Sequence, residues 1–455
     1  MTREAKPTKP QGLRRRVLHP AQVVFAGFLT VTLLGTALLT VPFAKIGPGG
    51  GSLQEAFFTS VSAITVTGLV VVDTPTYWSG FGQAVILVLI QIGGFGVMVL
   101  ASLIAIAVAR RLSLQARMNA AAETKSYGQI DVKAIILSIV RISLLFEGAG
   151  AIILFLWFWL HYGESIGDAA WLGVFHAVSA FNNAGFGLFS DSIMSYVGDP
   201  VVSLTLCVLI IVGGVGFPVL MQLRRYWGTP RRWTMNTRIV IAATLLLIPV
   251  GTIYITAIEW NNPATLGPLD WPVKILAGFF QSVQTRTAGF NSIDIGATDG
   301  ATQFGMIALM FIGGGSAGTA GGIKVTTFAV LLFILIAEIR GDGVVNVFGK
   351  RLSRAVHRQA ISVVLLAVGV IVAGTVVIMI ETGLPLGPVL FESVSAFSTV
   401  GLSTGITADL PIMSQLILCL LMFIGRLGPI TFASALALRE RGILYQLPKE
   451  RPLIG

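Results

Sequence analysis

The chain has 455 residues, of which 54% are hydrophobic and only 11% are charged, and its formal net charge is +10. Soluble chains carry about 25% Asp, Glu, Lys and Arg. This composition therefore excludes a soluble enzyme, a nucleic-acid-binding domain and a disordered chain, and it leaves a polytopic membrane protein. Cys207 and Cys419 both fall in apolar stretches and cannot build a disulfide framework.

Apolar stretches long enough to cross a bilayer recur along the chain. A hydrocarbon core of about 30 Å requires about 20 apolar residues per helix. Eight stretches satisfy this length, and in chain order they cover 21–43, 81–109, 134–161, 200–223, 238–260, 301–338, 357–381 and 410–438. The predicted fold is an all-α integral membrane protein with eight transmembrane helices.

Shorter, semi-apolar segments lie between the members of each pair of long stretches. They cover 55–70, 171–188, 276–291 and 390–405, and their length suits re-entrant helices. Each contains a glycine near its end, and these are Gly68, Gly185, Gly289 and Gly401. A second glycine motif follows each one, beginning at Ile92, Val212, Ile312 and Ile424. Two motifs with one period predict four pseudo-symmetric helix–pore loop–helix repeats around one central pore.

These repeats set the predicted boundaries. They comprise a basic N-terminus (1–20), repeats 1 to 4 (21–110, 134–225, 238–340 and 357–438) and a C-terminal tail (439–455). Basic residues cluster in the termini and in the loops between repeats, so the positive-inside rule makes that side cytoplasmic. The opposite loops are predominantly acidic, which favours cations at the pore mouth, although loops are generally hydrophilic.

The four glycine-ended loops are candidates for an ion filter. Non-helical backbone at membrane depth is tolerated where it is buried in protein or lines a water-filled path. Carbonyl rings replace the hydration shell of a cation, and glycine accepts the positive φ that turns carbonyls inward. Tight loop packing is the alternative explanation for these glycines. The candidate filter residues are Thr65, Val66, Thr67, Gly68, Asn182, Asn183, Ala184, Gly185, Thr287, Ala288, Gly289, Ser398, Thr399, Val400 and Gly401.

The third inner stretch contains six glycines within residues 313–322. Each glycine costs a helix about 1 kcal/mol relative to alanine, so we expect two half-helices joined by a loop. Close helix packing through small residues is the alternative, but it requires glycine at every fourth position and not in a run. The loop residues are Gly313, Gly314, Gly315, Ser316, Ala317, Gly318, Thr319, Ala320, Gly321 and Gly322.

Charged residues inside apolar stretches are functional candidates by default. Arg426 occupies the matching position of the fourth inner stretch, and its expected partners are carbonyls of residues 313–322, with a pair to Glu392 as the alternative. Lys324 either anchors the same loop or extends to the cytoplasmic face. Arg286 stands three residues before Gly289, where we expect it to point away from the pore and brace its loop against a carboxylate.

Three further polar residues are predicted to have structural roles. Arg141 and Glu147 lie six residues apart and do not share a helix face, so each is expected to pair with a neighbouring helix or lie near an interface. His176 begins a re-entrant segment and is expected to be an interfacial hydrogen-bonding residue, not a ligand.

The loop motifs TVTGL, NNAGFG, TRTAGF and STVGLSTG, with the run GGGSAGTAGGIK, resemble the Ktr/Trk/HKT superfamily of cation transporters. The resemblance extends over nearly the whole chain from about Pro20, and within the superfamily it is strongest to the KtrB-like membrane subunits of bacterial potassium uptake systems. It implies potassium as the permeant ion. Glycine at position 68 favours potassium, because members with serine there tend towards sodium. It also implies that residues 313–322, with Lys324 and Arg426, form an intramembrane gate.

The resemblance further implies a homodimer in the plasma membrane with both termini in the cytoplasm. A separate nucleotide-binding regulatory ring, KtrA-like and RCK-type, would dock on the basic cytoplasmic face. No cofactor is expected in this chain, so ATP or ADP would act only through that ring, and sodium is a candidate activator. No nucleic-acid partner is expected.

Two other functions compete with potassium uptake. A sodium-coupled or sodium-permeable secondary cation transporter of the same superfamily is the first, although coupled carriers usually contain paired inverted repeats and these repeats all run in one direction. An intramembrane enzyme is the second. It lacks support, because no HExxH, GxSxG or paired-aspartate motif lies in an apolar stretch.

Overall fold

The computed structural model describes residues 20–110 and 132–428, and within these ranges the chain is predominantly helical. Parts of several predicted regions lie outside the described residues. They are 1–19 of the N-terminus, 111–131 of the first inter-repeat loop, 429–438 of the last apolar stretch and the whole C-terminal tail 439–455.

Fifteen helices follow one another in the described part of the chain. The first half contains α1 (Pro20–Leu39), α2 (Leu53–Ile64), α3 (Thr74–Tyr77), α4 (Gly80–Arg110), α5 (Val132–Leu160), α6 (Ile166–Phe181), α7 (Pro200–Val215) and α8 (Phe217–Tyr226). The second half contains α9 (Met235–Glu259), α10 (Trp271–Gln284), α11 (Gly300–Phe311), α12 (Val325–Ile339), α13 (Arg354–Thr382), α14 (Leu386–Ser398) and α15 (Ile412–Leu427).

The all-α prediction is wrong in one detail. Strands β1 (Asn346–Val347) and β2 (Lys350–Arg351) form a two-stranded antiparallel hairpin between α12 and α13. The turn between them contains Phe348 and Gly349, both with positive φ. Such a short hairpin leaves no hydrophobic periodicity in the sequence that would predict it.

Three helices in the described ranges are long and apolar enough to cross a membrane. They cover Ile136–Leu160, Met235–Glu259 and Arg354–Thr382. A fourth span results if α7 and α8, which are bent by 98° relative to each other, are counted as one. Other apolar helices, including α11, α12 and α15, are shorter than a full span. The count of eight spans therefore stays a prediction.

The inner stretches are less regular than hydropathy suggests. The stretch 200–223, predicted as one helix, is broken at Gly216, whose φ of 98° and ψ of 142° cannot belong to a helix. Helix α15 ends at the matching Gly428, with a similar φ of 84° and ψ of 139°. The interruption predicted in the third inner stretch is confirmed, because residues 312–324 separate α11 from α12.

Four short helices (α2, α6, α10 and α14) each pack against the long helix that precedes them, which is α1, α5, α9 or α13. Local sequence defines where they begin. Ser52 and Glu55 form a capping box at α2, and the Ser165 hydroxyl accepts from the Asp168 amide at α6. Their last turns are buried, which places the residues that follow in the protein interior.

Candidate functional site

Each short helix is followed by a four-residue segment, and all four segments share one backbone pattern. They are the first (65–68), second (182–185), third (286–289) and fourth (398–401) segments. The residue two before each final glycine has positive φ, between 49° and 69°, and the glycine has φ between 70° and 90°, while the residue between them has negative φ. Alternation of this kind turns successive N–H groups to one side of the chain. The positive-φ residues are Val66, Asn183, Thr287 and Thr399.

Backbone hydrogen bonds show which side the N–H groups occupy. In each segment the amide before the glycine donates back to the preceding short helix, at 2.8 to 3.0 Å. The first, second and fourth segments bond five residues back, for example Thr67 to Ser62. The third bonds only four residues back, from Ala288 to Gln284. Because the N–H groups face the short helices, the carbonyl groups are directed away from them.

The four segments meet one another at their glycines. A Cβ on Gly68 would lie 2.3 Å from the Ala184 oxygen, and one on Gly185 would lie 2.9 Å from the Ala288 oxygen. In the same way, Gly289 faces the Val400 oxygen at 2.3 Å, and Gly401 faces the Thr67 oxygen at 2.1 Å. Each glycine thus abuts a carbonyl of the next segment, and the fourth segment returns to the first. The result is a closed ring that admits no side chain at these four positions without displacing backbone.

The second glycine motif has a separate steric cause. A Cβ on Gly93, Gly213 or Gly425 would lie 1.6 to 2.0 Å from a carbonyl oxygen in the last turn of the short helix of its own repeat. The acceptors occupy equivalent positions, four residues before the ring glycine, and are Ile64, Phe181 and Phe397. In the third repeat the matching Gly313 instead faces the Gly321 oxygen, because the helix is interrupted there.

Residues 312–324, hereafter the central loop, lie directly against these segments. A Cβ on Gly321 would lie 1.9 Å from the Thr399 hydroxyl oxygen of the fourth segment. The Thr319 hydroxyl donates to the Asn183 side-chain oxygen of the second segment at 2.8 Å. Backbone bonds also tie the loop to the end of α7, from Gly315 to the Gly214 oxygen at 2.8 Å. The loop is therefore held by the second and fourth repeats as well as by its own half-helices.

Arg426 and Lys324 both donate to carbonyls of the central loop. Arg426, 5% exposed, bonds through Nη1 to the Thr319 oxygen and through Nη2 to the Gly93 oxygen of α4 at 3.2 Å. The partners expected for Arg426 are confirmed. Lys324 bonds to the Ala320 oxygen, which makes it an anchor of the loop, not a residue extended to the cytoplasmic face.

Glu392, the alternative partner of Arg426, bonds elsewhere. Its carboxylate accepts from the Ser403 hydroxyl at 2.7 Å, the Thr404 amide at 2.8 Å and the Thr407 hydroxyl at 2.8 Å. It therefore stabilises the loop that follows the fourth segment.

The carboxylate partner expected for Arg286 is wrong. Its guanidinium contacts the Gly313 carbonyl oxygen at 3.5 Å and not a carboxylate. Together with Thr244 and Gly314 it lines a small cavity of about 20 Å³. The central loop thus contains one cationic side chain, Lys324, and is contacted by two more, Arg286 and Arg426.

Glu147 forms the helix contact expected of it. It lies on α5 and accepts from Gln91 of α4, at 2.9 and 3.1 Å, and from the Asn182 side chain at 3.1 Å. Arg141, on the same helix, is exposed on the surface of the chain. Gln91 was not among the predicted residues. A lone glutamine within the apolar run before Gly93 was the signal that could have identified it.

His176 is a hydrogen-bonding residue, as expected, but it is buried and not interfacial. Its Nε2 accepts from the Leu188 amide at 3.3 Å, which assigns the ring proton to Nδ1, and Nδ1 lies 2.8 Å from the Leu172 oxygen. Its ring stacks on Phe189 with centroids 4.9 Å apart.

Polar atoms that lack a partner among the described residues concentrate in and beside the segments. They are fully buried, and buried polar atoms normally have a protein or water partner. Within the segments the group comprises Asn182 Oδ1, Asn183 Nδ2, Arg286 Nε, Thr287 Oγ1, Ser398 Oγ and Thr399 Oγ1. Donors and acceptors are thus mixed, and ordered water can satisfy both kinds.

At the start of α2, Glu55 forms a hydrogen-bonded pair with Tyr77. Partial burial acts to raise the pKa of Glu55, but hydrogen bonds from Ser52 and Tyr77 and the charge of Lys45 outweigh it and leave the pKa below its ordinary value. Burial and the bond to Glu55 raise the pKa of Tyr77 to about 12. The pair therefore stays as a carboxylate and a neutral phenol at physiological pH.

Comparisons with known proteins identify the family of this chain. The family described as TrkH, cation transport protein, matches residues 5–441. The Ktr system potassium uptake protein B of Bacillus subtilis is 40% identical over 427 residues, covering 93% of this chain and 94% of that protein. The Potassium/sodium uptake protein NtpJ of Enterococcus hirae is 31% identical, covering 97% of this chain and 98% of that protein.

A solved structure shares the fold. The potassium transporter TrkH from Vibrio parahaemolyticus superimposes with a TM-score of 0.73 at 19% identity, covering 93% of this chain and 86% of that one. The family match spans nearly the whole sequence and includes all four segments and the central loop. The chain therefore belongs to the TrkH family of cation transport proteins, a class of membrane proteins and not of enzymes.

Proposed function

We propose that this chain takes up potassium across the plasma membrane as the channel-like translocating subunit of a Ktr-type system. The closed ring of Gly68, Gly185, Gly289 and Gly401 is the observation that carries the proposal. Relatives named as potassium uptake proteins, 40% and 37% identical to this chain, support the choice of ion.

The ring is proposed to be the selectivity filter. Carbonyl groups directed away from the short helices supply the oxygen ligands that replace a cation's hydration shell. The hydroxyls of Thr287, Ser398 and Thr399, which have no hydrogen-bond partner in the described part of the chain, supply further oxygens in these segments. Four segments with one backbone pattern support four pseudo-symmetric repeats around this pore, with eight membrane-crossing stretches. The different register of the third segment makes the symmetry approximate.

The central loop is proposed to be the gate. It lies against the second and fourth segments, contains Lys324 and is contacted by the cationic side chains of Arg286 and Arg426. A loop fixed in this way obstructs a cation path both sterically and electrostatically. Conduction then requires the loop to move, which breaks the hydrogen bonds of Thr319 and Arg426.

The assembly follows from the resemblance to Ktr systems. We propose a homodimer with both termini in the cytoplasm, regulated by a separate nucleotide-binding ring on the basic cytoplasmic face. ATP and ADP act through that ring alone. The positive-inside distribution of Lys and Arg supports the orientation.

Sodium transport is the second candidate. The relative named Potassium/sodium uptake protein NtpJ favours it, because that protein is 31% identical over almost the whole chain. The glycine at position 68 favours potassium, because members of the superfamily with serine there tend towards sodium. A larger residue at this position would collide with the Ala184 oxygen and change the shape of the ring.

Rubidium and sodium fluxes into vesicles that contain the purified chain decide between the two ions. We expect the wild-type chain to pass rubidium in preference to sodium and Gly68→Ser to lose that preference. Gly80→Ser is a matched control, because a Cβ at Gly80 meets no atom within 4 Å. Equal passage of both ions by the wild-type chain would overturn the potassium assignment.

A further inference from the structure

A carboxylate lies at membrane depth behind the second segment. Glu147 is 4% exposed, and its carboxylate accepts from Gln91 Nε2 and from Asn182 Nδ2. The Asn182 amide also donates to the Gln91 side-chain oxygen at 2.9 Å. The three side chains thus form a closed triangle that joins α4, α5 and the start of the second segment. Neither the ring nor the central loop includes Glu147.

Asn182 is held from two sides. On the side opposite Glu147, a Cβ on Gly94 would lie 1.9 Å from the Asn182 side-chain oxygen, so the asparagine fills the space that this glycine leaves. The fixed side chain precedes Asn183, which has a φ of 59° and accepts from the central loop. Two residues later comes Gly185 of the ring. The position of Asn182 therefore determines where the second segment begins its turn.

The equivalent residues of the other segments have no such anchor. Thr65 bonds to the Val61 oxygen of its own helix at 2.7 Å, and Arg286 contacts the central loop. The Ser398 hydroxyl lacks a partner among the described residues. Among the four segments of the described chain, only the second is held at this position by a carboxylate on a long helix, which is Glu147 of α5.

Stability alone does not account for a buried carboxylate here. Burying an ionisable group in a membrane protein is costly, and such groups are by default functional. A well-packed apolar side chain of similar volume is often as stable as a buried charged group, or more so. The two directed hydrogen bonds to Gln91 and Glu147 instead restrict the Asn182 amide to one orientation, which an apolar residue cannot do.

We infer that Glu147 is a positioning residue for ion selectivity, which acts on the second segment of the filter through Asn182 and Gln91. The inference rests on the proposed function, because it takes the ring as the filter. Glu147 touches no permeating ion. It fixes the backbone turn that places the Ala184 carbonyl against Gly68 in the ring.

Rubidium and sodium fluxes into vesicles containing the full-length chain test this role. Glu147→Gln preserves the volume but replaces one acceptor oxygen with a donor that faces Gln91. We expect the rubidium-to-sodium flux ratio to fall about threefold to tenfold, the range that corresponds to one lost hydrogen bond. Gly94→Ala displaces Asn182 from the other side and should lower the ratio in the same direction while the carboxylate remains.

A residue swap separates positioning from general packing. The double variant Glu147→Gln with Gln91→Glu restores one acid and one amide in reversed order, so it should recover most of the wild-type ratio. Glu259→Gln is the matched control. Glu259 is also a fully buried carboxylate, hydrogen-bonded to Thr265 and Thr302, but it makes no hydrogen bond to the four segments. The rubidium-to-sodium flux ratio of Glu259→Gln should equal that of the wild type.

The outcomes distinguish this inference from the proposed function. An unchanged ratio in both Glu147→Gln and Gly94→Ala, beside a potassium-selective wild-type chain, overturns the role of Glu147 alone. A swap that fails to recover the ratio although the protein is monodisperse also overturns it. Equal rubidium and sodium flux through the wild-type chain overturns the proposed function, and the inference with it.

Discussion

The guanidinium of Arg426 donates a hydrogen bond to the carbonyl oxygen of Thr319, which joins the inner helix of the fourth repeat to the central loop. The same side chain bonds to the Gly93 oxygen of α4. One arginine therefore connects the first, third and fourth repeats beneath the ring. In the proposed gate, the charge that this arginine retains adds electrostatic repulsion to the steric obstruction by the central loop.

Arg426→Ala should increase cation flux about tenfold or more, because hydrogen bonds from a charged group contribute about 1.5–3 kcal/mol each. Deletion within residues 314–320 should act in the same direction. Rubidium uptake into vesicles measures the effect. Gln415→Ala, at the outer end of the same helix, should leave the flux unchanged. A flux at or below the wild-type value in well-folded Arg426→Ala would contradict the gate.

Thr319→Val should also increase flux, by about twofold to tenfold. The substitution removes the hydroxyl that bonds to Asn183 at 2.8 Å, and a single neutral hydrogen bond contributes about 0.5–1.5 kcal/mol. Thr319→Ser keeps the hydroxyl and should behave as the wild type. If the serine and valine variants gave the same flux, the hydroxyl would have no part in holding the loop closed.

Gly425→Ala should destabilise the protein by about 1–3 kcal/mol or more, because a Cβ there would lie 1.6 Å from the Phe397 carbonyl oxygen. The nearest atoms to this Cβ all belong to the Phe397 backbone, which cannot move aside as a flexible side chain would. Thermal unfolding in detergent measures the loss. Gly369→Ala, on the exposed face of α13 with no atom within 4 Å, should match or slightly exceed the wild-type Tm. Equal Tm values for the two variants would refute the steric explanation.

The acid sensitivity of the outer face should depend on Glu55. The pKa of the Glu55 carboxyl is lower in the folded state than in the unfolded state, where it is about 4.3. Its contribution to stability is therefore fully present above the unfolded-state pKa and is lost as the pH falls through the folded-state pKa. We therefore expect the Tm of the wild type to fall more steeply than that of Glu55→Gln between about pH 5 and pH 3. Parallel Tm curves for the two proteins would show that the Glu55–Tyr77 pair contributes nothing to acid stability.

The glycine motifs are recognisable in the sequence because positive φ, which favours glycine, is a local property of the backbone. The carbonyl of the next segment, which excludes a Cβ at each ring glycine, is brought there only by the folded chain. Arg426 was identifiable because a charged residue in an apolar run is costly. In the third inner stretch, six glycines in ten residues were enough to predict the interruption.

Other features lay beyond the sequence because they depend on contacts between distant segments. The break at Gly216 is a backbone conformation that hydropathy does not encode, so hydropathy alone predicts one helix over residues 200–223. Arg286 had no acidic neighbour in its own segment to indicate a partner, and only the folded chain brings the Gly313 carbonyl to it. The hairpin before α13 was too short to leave a pattern.

The sequence by itself determined a membrane protein, its four glycine segments and the glycine-rich interruption, because bilayer length, φ preference and helix propensity act on neighbouring residues. The tertiary structure decided which atoms meet. It closed the ring from Gly401 back to Thr67, placed Thr319 between Asn183 and Arg426, and set Glu147 behind Asn182. Such contacts join residues more than thirty positions apart, and their geometry depends on how the helices pack.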